Sequence, residues 1–307
     1  MSAPTMPLLD AADEQRSLLE PQAERVGPTA AAQESFRRFN AKMYGALCAR
    51  AAVPTLYTTV RVFYLMDLPS DTGVNIAAQL AWVNLILEVF NETLILPLYH
   101  CLGVTIGDRR ETIERVRTGM GVTLAVYLCL GAVIFGATPV LVRWMAQNPA
   151  TVGQTTVYIR LEMLSVLLKA LGDFLVVVFV LLDKYKRITV ILCIQLVTTI
   201  LCDTIFLSSM PISLQLGVNG IAFSNWVSSG AILAYAMYAL SSELGMSASD
   251  WISTPRSRGE AMPWLKLWAD VGKFSGLDSF VRNLTYMLAI VRMMNVINQA
   301  GICMYLI

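Results

Sequence analysis

The stretch IQLVTTILCDTIFLSSMPISLQLGVNGIAFSNWV, residues 194–227, decides the fold class, because it places one carboxylate inside an otherwise apolar sequence. Asp203 lies in the middle of the first apolar run, and a short turn leads to a second run that begins with Gly217 and carries Asn225. Burying an ionised group in hydrocarbon costs at least ~2.5 kcal/mol. Asp203 is therefore either a functional carboxylate or one that a neighbouring helix neutralises.

The composition around this stretch is that of a membrane protein. Hydrophobic residues make up 56% of the 307 residues and charged residues only 15%, whereas charged residues form about a quarter of a soluble domain. The formal net charge of +1 gives no attraction to nucleic acid, so the expected partner is the lipid bilayer and no nucleic acid.

Seven apolar runs are each long enough to cross the ~30 Å hydrocarbon core, which needs about 20 helical residues. They span residues 44–66, 74–102, 119–145, 157–182, 188–209, 217–240 and 277–307. The pattern predicts an all-α, polytopic membrane helical bundle. A six-helix lobe occupies residues 36–245, a linker residues 246–275, and a seventh span, the first helix of an incomplete second lobe, residues 276–307.

Residues 1–35 are rich in Ala, Pro, Glu and Gln and have no apolar helical period, which predicts a disordered cytoplasmic tail. Within it, residues 14–19 read Glu-Gln-Arg-Ser-Leu-Leu, which resembles an acidic dileucine sorting signal. Short matches of this kind also arise by chance, and both interpretations stay open. The expected location is the plasma membrane, or an endolysosomal membrane if the signal is used.

Basic residues set the orientation. Lys and Arg cluster at the start of the lobe and in every second loop after it, whereas the alternate loops carry only Arg143. Because Lys and Arg near span ends are retained in the cytoplasm, this asymmetry predicts a cytoplasmic N-terminus.

The linker at residues 246–275 contains a second periodic feature. Trp264, Leu267, Trp268 and Val271 fall on one helical face, and tryptophan favours the headgroup region, so this segment is predicted to be an interfacial helix. Parallel repeats are a known transporter architecture, and paired arginines in the first and seventh spans suggest such a repeat. These pairs are Arg50 with Arg61, and Arg282 with Arg292.

The second span carries a polar stripe. Asn84, Glu88, Asn91 and Glu92 are spaced by four, three and one residues, which places them on one helical face. Two carboxylates one turn apart favour binding a proton, which suits a proton or substrate pathway. The alternative is a packing stripe whose charges an arginine from the first or seventh span neutralises. Both interpretations require a buried cation near Glu88.

The fourth span carries Glu162, Lys169 and Asp173. Because Lys169 and Asp173 are one turn apart, they are predicted to form a structural ion pair.

Nothing in the chain indicates an enzyme. The sequence has no phosphate-binding loop and no nucleophile beside a base. The six cysteines lack metal-ligand spacing, and His100 has no second histidine with which to share a metal.

Two motifs resemble the multidrug and toxic compound extrusion (MATE) family. Residues 199–206, TILCDTIF, followed by residues 217–222, GVNGIA, resemble the family's signature from the fifth to the sixth helix. Ala77-Ala78, Gly103 with the basic loop after it, and the FVRN run at residues 280–283 also fit.

The resemblance implies a transporter of two six-helix lobes that exports drugs and other organic cations in exchange for Na⁺ or H⁺. Carried over by position, Asp203 is the cation-binding carboxylate, Thr199 and Asn225 are its polar neighbours, and Asp67 stands for an aspartate of the first helix. No metal beyond Na⁺ and no cofactor beyond the coupling ion are expected. The chain corresponds to the N-terminal lobe and the first helix of the second lobe.

Three functions remain open at this point. The first is a secondary active antiporter for small-molecule substrates, with Glu88, Glu92, Asn91, Arg61 and Arg292 on the proton or substrate pathway. The second is a lipid-linked oligosaccharide flippase of the same superfamily, in which the arginines of the first and seventh spans bind phosphate. The third is a truncated membrane protein that does not transport. A chain that is half of a transporter is also expected to self-associate.

Overall fold

The structure is a computed structural model that describes residues 40–66, 73–103, 108–144, 149–247, 251, 258–286 and 288. All regular structure in these residues is α-helical. In chain order the helices are α1 (Ala41–Met66), α2 (Gly73–Ala78), α3 (Leu80–Leu94), α4 (Leu98–Gly103), α5 (Arg109–Trp144), α6 (Val152–Leu181), α7 (Tyr185–Phe206), α8 (Asn219–Leu244) and α9 (Arg258–Tyr286).

The chain divides into two compact units, Met1–Tyr44 and Gly45–Ile307. The described part of the first unit is the start of α1, where the Asn40 side chain accepts a hydrogen bond from the Met43 backbone N–H at 3.1 Å. Such a bond satisfies one of the free N–H groups at a helix N-terminus. All contacts described below lie within the second unit.

The all-α prediction is confirmed, but α5 and α9 begin well before the predicted third and seventh spans, and the second span is interrupted. The second span is broken into α2, α3 and α4. Pro97, which has no N–H to donate, lies just before α4. In the described part of the chain, four helical segments are long and apolar enough to cross a membrane: Leu80–Gly103, Arg109–Trp144, Val152–Leu181 and Tyr185–Phe206.

Helix α6 is the centre of the bundle. It packs against α5 and α8, and α8 also packs along α7. More than half of the most apolar stretch of α6 is buried, whereas a third or less of that stretch is buried in each of the other three membrane-spanning segments. The buried side chains include Tyr158, Ile159, Phe174 and Phe179. A helix that is apolar on all sides is expected at such a central position. Its burial determines which neighbouring helices its few polar residues face.

The turn between α7 and α8 folds back onto the end of α7. The N–H groups of Leu214 and Leu216 donate to the carbonyls of Ile205 and Phe206 at 2.8 and 3.0 Å. Gly217 has a φ of +61°, a conformation that glycine adopts at no steric cost. This turn sets α8 directly beside α7, so that residues near the start of α8 lie next to Asp203.

The predicted interfacial helix and seventh span are not separate. One helix, α9, runs through the predicted boundary at residues 275 and 276. Trp264 and Trp268 are buried and stacked on each other, with ring centroids 5.3 Å apart, rather than presented together on an exposed apolar face. Trp268 donates to the Leu94 carbonyl at 2.9 Å. The periodic spacing therefore identified an apolar face correctly, but this part of it packs against the protein and buries Trp264 and Trp268.

Candidate functional site

Asp203 is completely buried and is paired with Arg61 of α1. Arg61 Nε lies 2.7 Å from Asp203 Oδ2, and Arg61 Nη2 lies 3.0 Å from Oδ1. The Tyr57 hydroxyl donates to the same Oδ2 at 2.8 Å. Both carboxylate oxygens are therefore engaged by a two-pronged arginine contact, the strongest type of charge-assisted hydrogen bond. This arrangement matches the alternative in which a neighbouring helix neutralises Asp203, because the Arg61 guanidinium lies against the carboxylate.

Two residues of α8 complete the shell around Arg61. Arg61 Nη1 donates to Asn225 Oδ1 at 3.0 Å, and Nη2 reaches Ser224 Oγ at 3.3 Å. The predicted proximity of Asn225 to Asp203 is thus real, but the two meet through Arg61. The Thr199 hydroxyl donates to Ser228 Oγ at 3.0 Å rather than to Asp203, and both residues line the cavity described below.

A second carboxylate, Glu162 of α6, adjoins this cluster and was not selected from the sequence. Its side chain is buried, and its hydrogen-bond donors are all neutral. Asn225 Nδ2 donates to Oε1 at 2.6 Å, the Ser165 hydroxyl donates to Oε2, and the Tyr158 hydroxyl lies 3.4 Å from Oε1. The signal that could have found Glu162 is an acid inside the most apolar span without an opposite charge one turn away.

Glu162 lines a cavity of about 320 Å³ between α1, α3, α6, α7 and α8. Its charged lining residues are Arg50, Arg61, Glu162, Lys169 and Asp173, and polar neutral residues such as Gln195, Thr199 and Asn225 lie between them. A cavity with a few convergent polar groups and buried titratable residues is where a ligand site is expected.

The far end of this cavity differs from the prediction for the fourth span. Asp173 is paired with Arg50 of α1, across 123 residues, rather than with Lys169. The exposed Lys169 is left without an ion pair or hydrogen bond within the described chain. The predicted Lys169–Asp173 ion pair is therefore wrong, because a cation from another helix reaches Asp173 instead.

The polar stripe of the second span lies outside the cavity. Arg282 of α9 contacts both Glu88, at 3.2 Å, and Glu92. A cation near Glu88 is thus present, but it is not buried, since the side chains of Arg282 and Glu88 are 52% and 45% exposed. Of the predicted stripe, only Asn84 lines the cavity. Glu88, Asn91 and Glu92 are not brought to it, and the arrangement matches the alternative in which the seventh span neutralises the stripe.

Several predictions lie outside the described residues: the disordered tail at residues 1–35 with its sorting signal at residues 14–19, the roles of Asp67 and Arg292, and the part of the seventh span after residue 288. Among the residues that the structure covers, no group of three or more His, Cys, Asp or Glu side chains could hold a metal ion.

Comparisons with known proteins bear on the fold. No family model matches the sequence, and no curated protein matches it. A solved structure does match: a MATE protein in complex with MaD3S, with a TM-score of 0.65 and 17% sequence identity over 78% of this chain. The match covers 52% of that structure, so the chain spans about half its length. The chain is therefore an integral, multi-pass membrane protein with a MATE-like fold.

Proposed function

We propose that the chain is the N-terminal lobe of a MATE-type secondary active antiporter that exports organic cations in exchange for H⁺. One observation carries this proposal: Glu162 lines the cavity, is buried, and receives hydrogen bonds only from neutral groups. The carboxylate of Glu162 can therefore accept a proton without breaking an ion pair. Asp203 cannot, because its protonation would strand the Arg61 charge in the interior.

Exchange follows if a proton and the cationic group of a substrate compete for the same carboxylate. When Glu162 is protonated, the cavity no longer offers the cation a free negative charge. When the proton leaves, the carboxylate attracts the cation. A ligand shifts a conformational equilibrium only through its different affinity for the two states, and competition at Glu162 would supply that difference. Na⁺ is the less favoured coupling ion, because the oxygen-rich site around Asp203 already holds a guanidinium.

The test reconstitutes the 307-residue chain in vesicles and follows radiolabelled tetraethylammonium under an imposed pH gradient. We expect gradient-driven movement that is lost in Glu162→Gln and unchanged when Na⁺ is replaced by K⁺. Glu88→Gln is the matched control, because Glu88 is paired with Arg282 away from the cavity. Coupled movement that persists in Glu162→Gln would discard the proposed role of this residue. A chain that folds but moves nothing would favour the non-transporting alternative.

The flippase remains a second candidate because Arg50, Arg61 and Lys169 all line the cavity. Lys and Arg are the side chains that bind phosphate groups. A fluorescent pyrophosphate-linked isoprenoid in the same vesicles distinguishes the two functions. A flippase would move this lipid between leaflets, whereas the antiporter would not.

The proposal includes the plasma membrane as the location, or an endolysosomal membrane if residues 14–19 serve as a sorting signal. It also includes self-association of two copies as one way to complete a two-lobed transporter. Crosslinking of the reconstituted chain would test the second point.

A further inference from the structure

One end of the cavity takes no part in the proton exchange proposed above. We call it the basic pole, and it consists of Arg50, Lys169 and Asp173. Lys169 lines the cavity and is exposed, and it makes no ion pair or hydrogen bond to the described residues. Arg50 binds Asp173 through Nη2, while its Nη1 is buried without an acceptor in the described part of the chain.

The charges of the basic pole do not balance. Two cations face one carboxylate, which leaves a single positive charge and an unsatisfied guanidinium N–H group. A buried donor without an acceptor costs about 1–3 kcal/mol, and native structures avoid this unless another group supplies the acceptor. The neighbouring lining residues Gln195, Thr199, Ser228 and Ser229 are neutral, so none of them cancels the charge.

The other end of the cavity has the opposite imbalance. Arg61 is paired with Asp203 and joined to Glu162 through Asn225, so ionised Glu162 leaves one negative charge there. Glu162 and Lys169 are seven residues apart on α6, which corresponds to roughly 10 Å along the helix axis. The cavity is therefore dipolar, with one excess charge of each sign at positions that the same helix fixes.

We propose that the basic pole binds a carboxylate group of the transported molecule, and that this molecule is zwitterionic, with its cationic group at Glu162. This inference rests on the proposed function for the cationic end and adds the anionic end. A long, flexible lysine suits this role, because its ammonium group has three donors and can meet a carboxylate in several geometries. A zwitterion would satisfy both ends of the cavity without adding net charge next to the buried Glu162, where uncompensated charge is costly.

A pair of probes that differ in one charge tests this inference. The probes are radiolabelled 4-(aminomethyl)benzoate and its methyl ester, which share the ammonium and the ring but differ in the carboxylate. Equilibrium binding is measured on the full chain in lipid nanodiscs, for the parent protein and for Lys169→Met, Lys169→Arg and Lys186→Met. Lys186 is the matched control, because it is an exposed lysine that does not line the cavity.

The parent and Lys186→Met are expected to bind the acid at least about tenfold more tightly than the ester, as a charge-assisted hydrogen bond requires. Lys169→Met should bind the two probes equally, and Lys169→Arg should retain most of the preference. The inference is overturned if the parent shows no preference for the acid, or if Lys169→Met keeps the parent's preference.

Benzoate separates the two proposals, because it has no ammonium group. Binding of benzoate that depends on Lys169 and survives in Glu162→Gln would support the basic pole even if the proton exchange at Glu162 fails. Proton-coupled flux without any Lys169-dependent binding of benzoate or the zwitterion would leave the proposed function standing and remove the anion site.

Discussion

The contact between Arg61 and Asp203 determines what the neighbouring polar groups can do. Asp203 is fully buried and the Arg61 side chain is 13% exposed, so neither charge has enough water around it to be stable alone. Arg61 also donates to Asn225 and Ser224, which means that one guanidinium joins α1, α7 and α8. The amide nitrogen of Asn225 is then free to donate to Glu162. The ion pair thus orients the group that holds the proposed proton site.

Replacing only one residue of the Arg61–Asp203 pair should destabilise the protein more than replacing both residues. We expect Arg61→Met or Asp203→Leu to lower the free energy of unfolding by about 3–5 kcal/mol, because each leaves a buried charge without its partner. The double variant Arg61→Met/Asp203→Leu should lose less than the more damaging single variant. Thermal unfolding in detergent measures this, with Arg282→Met, which breaks an exposed contact, as a control that should cost about 1 kcal/mol or less. Strict additivity of the two single changes would refute the coupling.

At the level of the helices, α7 and α8 approach closely where the turn joins them. A Cβ atom on Gly220 would lie 2.9 Å from the carbonyl oxygen of Phe206, a backbone atom that cannot rotate away. The same glycine stands one turn before Ser224 and Asn225, so the close approach sets how far these side chains are from Arg61. The packing of α7 against α8 therefore determines the geometry of the site.

The glycine prediction uses two positions on the same helix. Gly220→Ala should destabilise the protein by about 1–3 kcal/mol, because the added methyl group forces α8 away from α7. Gly230→Ala should be neutral or stabilise by up to about 1 kcal/mol, since its Cβ would meet only a Leu168 methyl group at 4.0 Å and alanine favours the helix. Melting temperatures of both variants provide the comparison. Equal melting temperatures would show that the Gly220 contact is not a constraint.

The whole molecule should place the two ends of α7 on opposite sides of the membrane. Helix α7 has 22 residues, which corresponds to about 33 Å and matches the thickness of the hydrocarbon core. Lys184, Lys186 and Arg187 lie at its start, and no basic residue lies in the turn after its end. The positive-inside rule puts the start of α7 in the cytoplasm.

Cysteine labelling tests this orientation. In a background without the native cysteines, Ile212→Cys should react with a membrane-impermeant maleimide added outside cells, because Ile212 is 83% exposed in the turn between α7 and α8. Lys186→Cys should react only after the membrane is permeabilised. Labelling of both positions from the outside would contradict the membrane-spanning assignment of α7, and the reverse pattern would invert the predicted orientation.

The all-α fold and the buried position of Asp203 were predictable from the sequence, because apolar composition and helical period depend on residues near one another in the chain. The arrangement of charges was not. The sequence left open whether Asp203 binds a mobile cation or is neutralised by a neighbouring helix, and it did not indicate that the partner is Arg61, 142 residues away. Asp173 was predicted to pair with Lys169, yet it binds Arg50.

The sequence by itself therefore determined that this protein is a helical membrane bundle with several charges that must be neutralised inside it. Only the tertiary structure decided which charges meet, because an ion pair between helices depends on how each helix is placed and rotated against its neighbours. That placement leaves Glu162 with neutral partners and Lys169 with none among the described residues. These two side chains carry the functional proposals, since they are the charged residues lining the cavity that have no ion pair among the described residues.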